Sequence, residues 1–543
     1  MRRTFFWFVL VLAASSQAQV FRFGWRDEII TSRSAESVNA SAVDSAGNLV
    51  VAGTIQLAAN QVDVIVRKYD PLGVKLWEQR IDIGGAKLVD SVQGLVVNAK
   101  GEVFISAGTP KNGFDNFVLL KLAPGDGKVV FQQVLDTGTN RASASGIALD
   151  QSSDSIVQVG GFGRNAREAF LVVKWSESGD VVWKKTWTND VKGDRSARSV
   201  AVAPNGDIVS VGYSATEKLG QDSTVLKLSA SGDVKWAVTY PGGQFPANDS
   251  AKCASFDQMG NVLVGGDEYV SGSRNSAYLA KLNGENGTVI WKSDIMEPRG
   301  MDGVTVDIHS IGDATLAAVQ MNPTSAGGFD MSVLKFDSNG KEVWRSVVDA
   351  GPGSNEELAK MVVDKYGFAY ISSGSVGPDR VPKFLVACVD PGGKVAWQFR
   401  DSSPFNGLPS GVCVDNDSGH IFVSGSKSRG VDDDLGIMTM FQAPRAANDR
   451  YTVFEGESLT IGPSSGILSN DVFWRFATLK VTAPLKSGAL DLSNDGSFTF
   501  LAPKTAGEVT FSYELSREGL TTSGATVTIS VIKKPKKDGR LRN

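Results

Sequence analysis

The sequence predicts an all-β chain: an eight-bladed β-propeller closed by an N-terminal strand, followed by a small β-sandwich. Three observations carry this reading. The first is a row of aromatic residues at a nearly fixed interval: Trp25, Trp77, Phe131, Trp183, Trp236, Trp291, Trp344 and Trp397, in steps of 52, 54, 52, 53, 55, 53 and 53 residues. A period of about 50 residues with Gly, Asp and Trp at fixed offsets is the mark of propeller blades. The second is an incomplete last unit whose missing strand lies at the other end of the chain. The third is a change of texture after residue 442, where the period stops.

The chain begins with Arg2 and Arg3 ahead of the apolar stretch Phe5 to Ala14, with Ser16-Gln17-Ala18 as small residues for cleavage. That pattern predicts a signal peptide over 1–18, too short for a membrane span, and hence export to the periplasm, the cell surface or the medium. No later stretch is long and apolar enough to predict a transmembrane segment. Net charge is −4, so no strong field points to nucleic acid.

Residues 19–442 form the predicted propeller. Around Trp77 the order is Ala42-Val43-Asp44, Ala46-Gly47-Asn48, Leu49-Val50-Val51, Gly53, a polar loop, Val64 to Asp70, Gly73 and Trp77. The fourth unit repeats it from Val200 to Trp236. Short β-branched runs bounded by Asn-Gly, Ser-Gly or Pro-Gly turns predict four strands per unit. Apolar residues come in runs, as expected of a sheet covered on both faces. The eighth unit runs from Gly411 to Met438 and lacks its aromatic strand, while Val20 to Trp25 supplies one. Pairing the two leaves no open edge. Seven blades is the alternative, should the N-terminal strand pack elsewhere.

Three cysteines, Cys253, Cys388 and Cys413, allow at most one bridge. Cys253 and Cys413 stand where other units carry Gly94, Ala148 or Ala201, so small buried thiols are expected. A Cys388–Cys413 bridge between neighbouring blades is the alternative.

Residues 443–447 read as a linker and 448–533 as a β-sandwich, with strands at 451–454, 458–461, 479–482, 489–492, 497–500, 509–514 and 525–532. The basic end, 534–543, reads as a solvated tail.

On the motifs Asp-x-x-Gly-Asn, Val-x-Gly and Asp-x-x-Gly-x-x-x-Trp, the repeats resemble the bacterial SBBP-type β-propeller family. They also look like the tryptophan-docking repeats of quinoprotein-type propellers, most closely at Leu282-Asn283-Gly284-Glu285-Asn286-Gly287-Thr288-Val289-Ile290-Trp291. The resemblance implies that each aromatic named above packs against the next blade, with Phe131 keeping only the stacking surface. The C-terminal segment is similar to bacterial cadherin-like, immunoglobulin-like domains at Asn448-Asp449-Arg450-Tyr451, Gly466 to Asp471, Asp495 to Phe500 and Phe511-Ser512-Tyr513. Members of that family commonly continue the Asn-Asp motif into carboxylates that bind calcium between domains. Here Val472-Phe473-Trp474-Arg475 follows instead.

Candidate chemistry competes with structural roles. Lys68, Lys121, Lys174, Lys227, Lys281 and Lys335 recur at one strand position, often with an acid five or six residues earlier, such as Asp63, Asp222 or Asp330. A repeated ion pair with packed stems is expected, against a functional lysine ring. The only two histidines, His309 and His420, fall near first-hairpin turns and are expected at the surface. Two readings stand open for Asp415-Asn416-Asp417-Ser418-Gly419: a calcium site on Asp415 and Asp417, or an ordinary hairpin turn, since no Glu closes the loop.

The second and fourth connections of each unit are longer and more variable than the first and third, and strand alternation puts both sets on one face. They offer Phe114, Phe162, Tyr213, Tyr240, Tyr269 and Phe405 among polar residues. Variable loops on a rigid scaffold are where recognition usually resides. The expected function is therefore binding of a protein or glycan by a monomeric, exported, non-catalytic protein that needs no cofactor, with calcium the one candidate. The alternative is a propeller enzyme, either quinoprotein-like or polysaccharide-active. The quinoprotein resemblance would imply a calcium-bound cofactor beside a carboxylate base and often an adjacent-Cys pair, which this sequence lacks.

Overall fold

Every predicted β-branched run is a strand, and the runs assemble four at a time. The computed structural model describes residues 21–29, 36–58, 60–85, 88–111, 114–164, 167–189, 191–216, 220–240, 248–271, 274–295, 303–322, 328–351, 354–378, 380–401, 406–428, 433–442, 444–472, 474–475, 477–517, 520–521 and 524–534. The predicted signal peptide, Phe405 and most of the basic tail lie outside them. The chain divides into two compact units, one of residues 23–416 and 420–440, the other chiefly of residues from 441 onward.

Among the described residues the first unit holds eight four-stranded antiparallel sheets. Blade one is Glu36–Val43, Leu49–Ala58, Gln61–Tyr69 and Lys75–Ile81. The last sheet joins Asn406–Val414, His420–Ser428 and Asp433–Gln442 to the N-terminal strand Phe21–Ile29. First strands of successive blades pack side by side, and the first strand of blade eight packs against that of blade one, so the ring closes. The middle strands are buried on both faces: Val103–Gly108, Val118–Leu122 and Ile208–Ala215 have no exposed position. This is why their sequences run apolar instead of alternating. In every blade a β-bulge interrupts the pairing of first and second strands, for example between Val38 and Ala40 and between Val92 and Gly94. A bulge bends and twists the strand locally.

The periodic aromatics join blade to blade. The indole N–H of Trp77 donates to the Pro124 carbonyl (3.2 Å), that of Trp183 to Ala230 (3.1 Å), Trp236 to Gly284 (3.0 Å) and Trp291 to Ser338 (3.0 Å). Each acceptor lies in the outer turn of the next blade. The ring lies on a glycine of that same turn. Gly287 has φ +72°, and a Cβ there would sit 2.7 Å from Trp236 Cε3; Gly127, Gly179, Gly232, Gly340 and Gly393 repeat the arrangement under Trp77, Phe131, Trp183, Trp291 and Trp344. Phe131 keeps the ring contact without the hydrogen bond. The side chain of Trp25 is not among those described.

All three cysteines are buried free thiols. Burial pushes the Cys413 thiol up to about 12. The histidines differ from expectation. His420 is buried at the start of a strand with its ring edge-on to Phe422, and His309 lies within the strand Gly303–Ile311, half-buried, its Nε2 3.3 Å from the Met361 carbonyl. The hairpin turns are tighter than the sequence suggests, which draws both residues into the ladders.

The second unit is a two-sheet sandwich. Asp449–Phe454 runs parallel to Ala525–Ile532, which pairs with Gly507–Arg517 and through it with Thr478–Ala483; Ser458–Ile461, Phe498–Leu501 and Ala489–Leu492 form the other sheet. Phe500, Phe511, Val527 and Ile529 fill the core between them. Here strands alternate, as for sheets with one wet face: Ala525–Ile532 has every second residue buried.

The aspartates of the two Asn-Asp pairs of this unit, Asp449 and Asp471, meet one hydroxyl. Tyr513 Oη lies 2.9 Å from the Ile467 carbonyl, 2.9 and 3.0 Å from the two Asp471 carboxylate oxygens, 3.2 Å from the Ala447 carbonyl and 3.4 Å from Asp449 Oδ2. One hydroxyl proton serves five oxygens. Burial, together with the Asp471 charge, pushes the Asp449 carboxyl up to about 7, and burial pushes Asp471 up to about 6.

Two outcomes follow from these contacts. W236A should cost about 3–5 kcal/mol, whereas W236F, which loses one hydrogen bond but keeps the stacking, should cost about 1 kcal/mol; urea denaturation of the two variants measures both. For the sandwich, the folded unit holds protons that the unfolded chain releases near pH about 4. Its stability should therefore fall as pH rises from about 4 to about 7 and level off above. Calorimetric scans across that window should show a shallower fall for D449N than for the wild type, with D449N the more stable above pH 7.

Candidate functional site

The lysine column is structural. Lys68, Lys121, Lys174, Lys227, Lys281 and Lys335 each stand opposite the aromatic of the outermost strand. Five of them find an acid in the first hairpin of the same blade: Lys68–Asp44 at 2.8 Å, Lys121–Glu102 at 3.0 Å, Lys174–Asp150 at 2.7 Å, Lys227–Asp207 at 3.2 Å and Lys281–Asp257 at 2.6 Å. The acids five residues earlier in sequence are not these partners. An odd separation along a strand puts two side chains on opposite faces, about 16 Å apart along the chain. Asp63 instead accepts from Arg80 Nε at 2.7 Å.

Four of these ammonium groups also reach the next blade: Lys68 to the Pro124 carbonyl (3.1 Å), Lys121 to Glu177 (3.2 Å), Lys174 to Ala230 (3.4 Å) and Lys227 to Gly284 (2.8 Å). Three of the four carbonyls are the ones that accept the indole N–H. In blade seven Cys388 takes the lysine position, and the hairpin acid Asp364 accepts from the Tyr370 hydroxyl at 2.9 Å instead.

The opposite end of the blades, where the second and fourth connections lie, has a different chemistry. At the entry to the first strand of a blade, a backbone N–H donates to a carbonyl at the start of the third strand of the preceding blade: Asp90 to Val62 (2.8 Å), Arg195 to Arg167 (2.7 Å), Asp249 to Gln221 (2.6 Å) and Glu356 to Phe329 (2.7 Å). The residue that donates is buried and charged in all four. Glu36 holds the corresponding place in blade one, two residues ahead of the bulge.

These charges are answered in different ways. Glu36 accepts from both terminal nitrogens of Arg67, at 2.9 and 3.3 Å. Arg195 donates to the Glu168 carbonyl (2.6 Å), to Asn189 Oδ1 (2.6 Å) and to the Val191 carbonyl. Asp249 accepts from the Tyr269 N–H at 2.6 Å; burial, reinforced by Asp222, Glu268 and Asp267, pushes its carboxyl up to about 6. Glu356 accepts from the Ser375 hydroxyl at 3.0 Å, and burial beside Asp330 and Asp349 pushes it up to about 7. Burial raises Asp90 too, with Asp82 and Asp63 adding to it. Buried acids at one end of the ring suit a cation, or the basic and hydroxyl groups of a ligand.

The loop aromatics are placed unequally. Tyr213 is buried, its ring 5.1 Å beneath the Arg198 guanidinium. Phe162 is half-buried against the core of blades two and three. Tyr240 is half-buried beside Trp236, its hydroxyl 3.5 Å from the Gly287 carbonyl. Tyr269 is half-buried at the blade-four to blade-five junction, where its N–H holds Asp249. The expected loop Asp267 to Asn275 is mostly ladder, with pairing from Val262–Ser271 to Arg274–Leu282. Phe114 pairs with Lys111 in a two-residue hairpin.

Asp415 and Asp417 sit in the first hairpin of blade eight, at the tight-turn end. Asp415 is buried with its N–H on the His420 carbonyl at 2.9 Å, and Asp417 is half-exposed. Among the described residues the acids that converge in threes are elsewhere: Asp63, Asp82 and Asp90, and Asp330, Asp349 and Glu356. Only with the bulge known does a signal emerge: aligning repeats on it, instead of on the tryptophan, puts Glu36, Asp90, Asp249 and Glu356 in one column.

Residues 115–350 match the family model described as outer membrane protein assembly factor BamB, and residues 441–530 match the bacterial Ig domain. The chain thus resembles quinoprotein-like propeller repeats followed by a bacterial Ig-like domain. No curated protein matches the sequence. Among solved structures it is similar to the β-propeller domain of the Trilobed protease from Pyrococcus furiosus (8% identity, 68% of this chain and 100% of that one, TM-score 0.39). It is also similar to virginiamycin B lyase from Staphylococcus aureus (10% identity, 78% and 99%, TM-score 0.35). A third is lignostilbene dioxygenase from Pseudomonas brassicacearum (9%, 72% and 94%, TM-score 0.38). Likeness at this level says nothing about activity. No helix among the described residues is long and apolar enough to cross a membrane.

The lysine column gives a direct test. K174M leaves Asp150 buried without its cation and should cost about 3–5 kcal/mol. Urea denaturation reads this, and a change below about 1 kcal/mol would point to a solvent-facing lysine ring.

Proposed function

We propose that this chain is an envelope protein that binds a protein or glycan through the long-connection face of its propeller and performs no chemistry on it. The observation that carries the reading is the division of labour between the two ends of the blades. The repeated tryptophans, lysines and hairpin acids are engaged with one another or with the next blade. The second and fourth connections differ from blade to blade in both sequence and charge. Recognition commonly resides in such variable segments on a rigid scaffold.

The matched domain types support the location. BamB-like propellers and bacterial Ig domains are typical of envelope proteins, and the N-terminal pattern of Arg2, Arg3 and an apolar run fits export. The Ig-like unit then acts as a spacer. At the junction of blades four and five the buried Asp249 accepts the Tyr269 N–H, and an aromatic beside an acid suits sugar hydroxyls or basic side chains.

The test is an array of glycans and envelope proteins probed with the purified chain and with the F114A/Y269A variant. The variant should keep the melting temperature of the wild type and lose the captured ligand. Undiminished capture by the variant would remove these aromatics from the surface, and turnover of an alcohol, sugar or polysaccharide that survives purification would replace binding by catalysis.

A further inference from the structure

At two blade junctions the same three positions carry acids: the start of the third strand, the residue after the fourth strand, and the entry to the next blade's first strand. They are Asp63, Asp82 and Asp90 between blades one and two, and Asp330, Asp349 and Glu356 between blades six and seven. In each set one carboxylate oxygen per residue lies within 4.8 Å of the others.

Physical chemistry makes such a set costly unless something positive enters it. Like charges held together destabilise the fold, the more so at the members that are buried. Elsewhere in the ring the fold meets the same problem with a guanidinium: Glu36, in the position of Asp90, is gripped by Arg67. The first set has a partial answer, since Arg80 Nε donates to Asp63 Oδ2 at 2.7 Å from a side chain that is 52% exposed. Among the described residues Asp82 Oδ1 accepts the Gly85 N–H at 2.7 Å, and Asp90 Oδ2 the Ile83 N–H at 2.8 Å.

Asp90 is 2% exposed, yet its Oδ1 has no hydrogen-bond partner. The Thr109 hydroxyl, 3% exposed, lies against Asp90 outside hydrogen-bond geometry and is also without a partner. The connection closes tightly over it, because a Cβ on Gly84 would sit 2.2 Å from Thr109 Oγ. In the second set Glu356, fully buried, likewise has an Oε2 without a partner. Buried oxygens left unsatisfied are rare in folded proteins and call for an explanation.

We infer that the Asp63–Asp82–Asp90 junction binds a hard divalent cation, calcium by its tolerance of irregular oxygen sets, and that Asp330, Asp349 and Glu356 repeat the site. All the donors are oxygens, the preference of calcium and magnesium over zinc or copper. Calcium accepts irregular sets of carboxylate, carbonyl and hydroxyl oxygens, whereas magnesium demands near-ideal octahedral geometry and keeps most of its waters. The cation links the fourth strand of one blade to the first of the next, at the end of the disc opposite the lysine–tryptophan contacts. This inference is independent of the ligand bound by the loop face.

The full chain, stripped with chelator, is titrated with CaCl2 by calorimetry, with MgCl2 as a separate arm. Saturable uptake of two calcium ions and a raised melting temperature are expected, with magnesium weaker. Asp82 and Asp349 are exposed, so D82N and D349N should fold; each should weaken one site by about tenfold or more, and the double variant should lose both. Uptake of one ion that D82N removes would uphold the first site and overturn the second. No saturable uptake by the wild type would overturn the inference, and so would uptake that D82N and D349N leave unchanged. Uptake removed only by D417N would place the ion at the blade-eight turn and overturn it equally.

Discussion

A backbone carbonyl shared by two donors holds this ring together. At Pro124, Ala230 and Gly284 one oxygen accepts both the indole N–H and the lysine ammonium of the preceding blade. Much else depends on that pairing. The carbonyl must face backward, which the positive-φ glycine two or three residues on allows, and the absence of a Cβ on that glycine lets the indole lie flat on the turn. The lysine must be buried to reach the carbonyl, so its charge requires an acid, and the first hairpin supplies one. The 53-residue period is the sequence image of one contact made repeatedly.

Substitutions in the pattern show which parts are separable. Phe131 drops the N–H, and Lys121 still reaches the Glu177 carbonyl. Cys388 drops the ammonium, and Asp364 turns to the Tyr370 hydroxyl. In each case the group left behind keeps a hydrogen-bond partner, as burial in a low-dielectric interior demands.

The architecture was legible because repetition amplifies weak signals: blade strands, the closing N-terminal strand and all seven sandwich strands lie where turn chemistry and apolar runs put them. The charge partners were not. Lys68 and Asp63 are near in sequence but on opposite faces, while Asp44 is far in sequence and adjacent across the hairpin. Bulges were equally hidden, since nothing at Asn39 or Gln93 announces an extra residue, and with them went the column of junction acids. The face that binds remains a proposal because its determinants do not repeat. Tyr213 and Tyr269 read alike in sequence, yet one is buried under Arg198 and the other stands beside Asp249.

The two ends of the blades thus have separate tasks, with neutralised, repeated chemistry at one and buried, uneven acidity at the other. The claim beneath this division is that Lys227 and Trp236 act on blade five through one buried oxygen. A double-mutant cycle of K227M and W236F, read by urea denaturation, tests it most directly. If the Gly284 carbonyl is shared, either donor alone keeps it satisfied, and the double variant should lose about 1–3 kcal/mol more than the sum of the singles. Strict additivity would contradict the account.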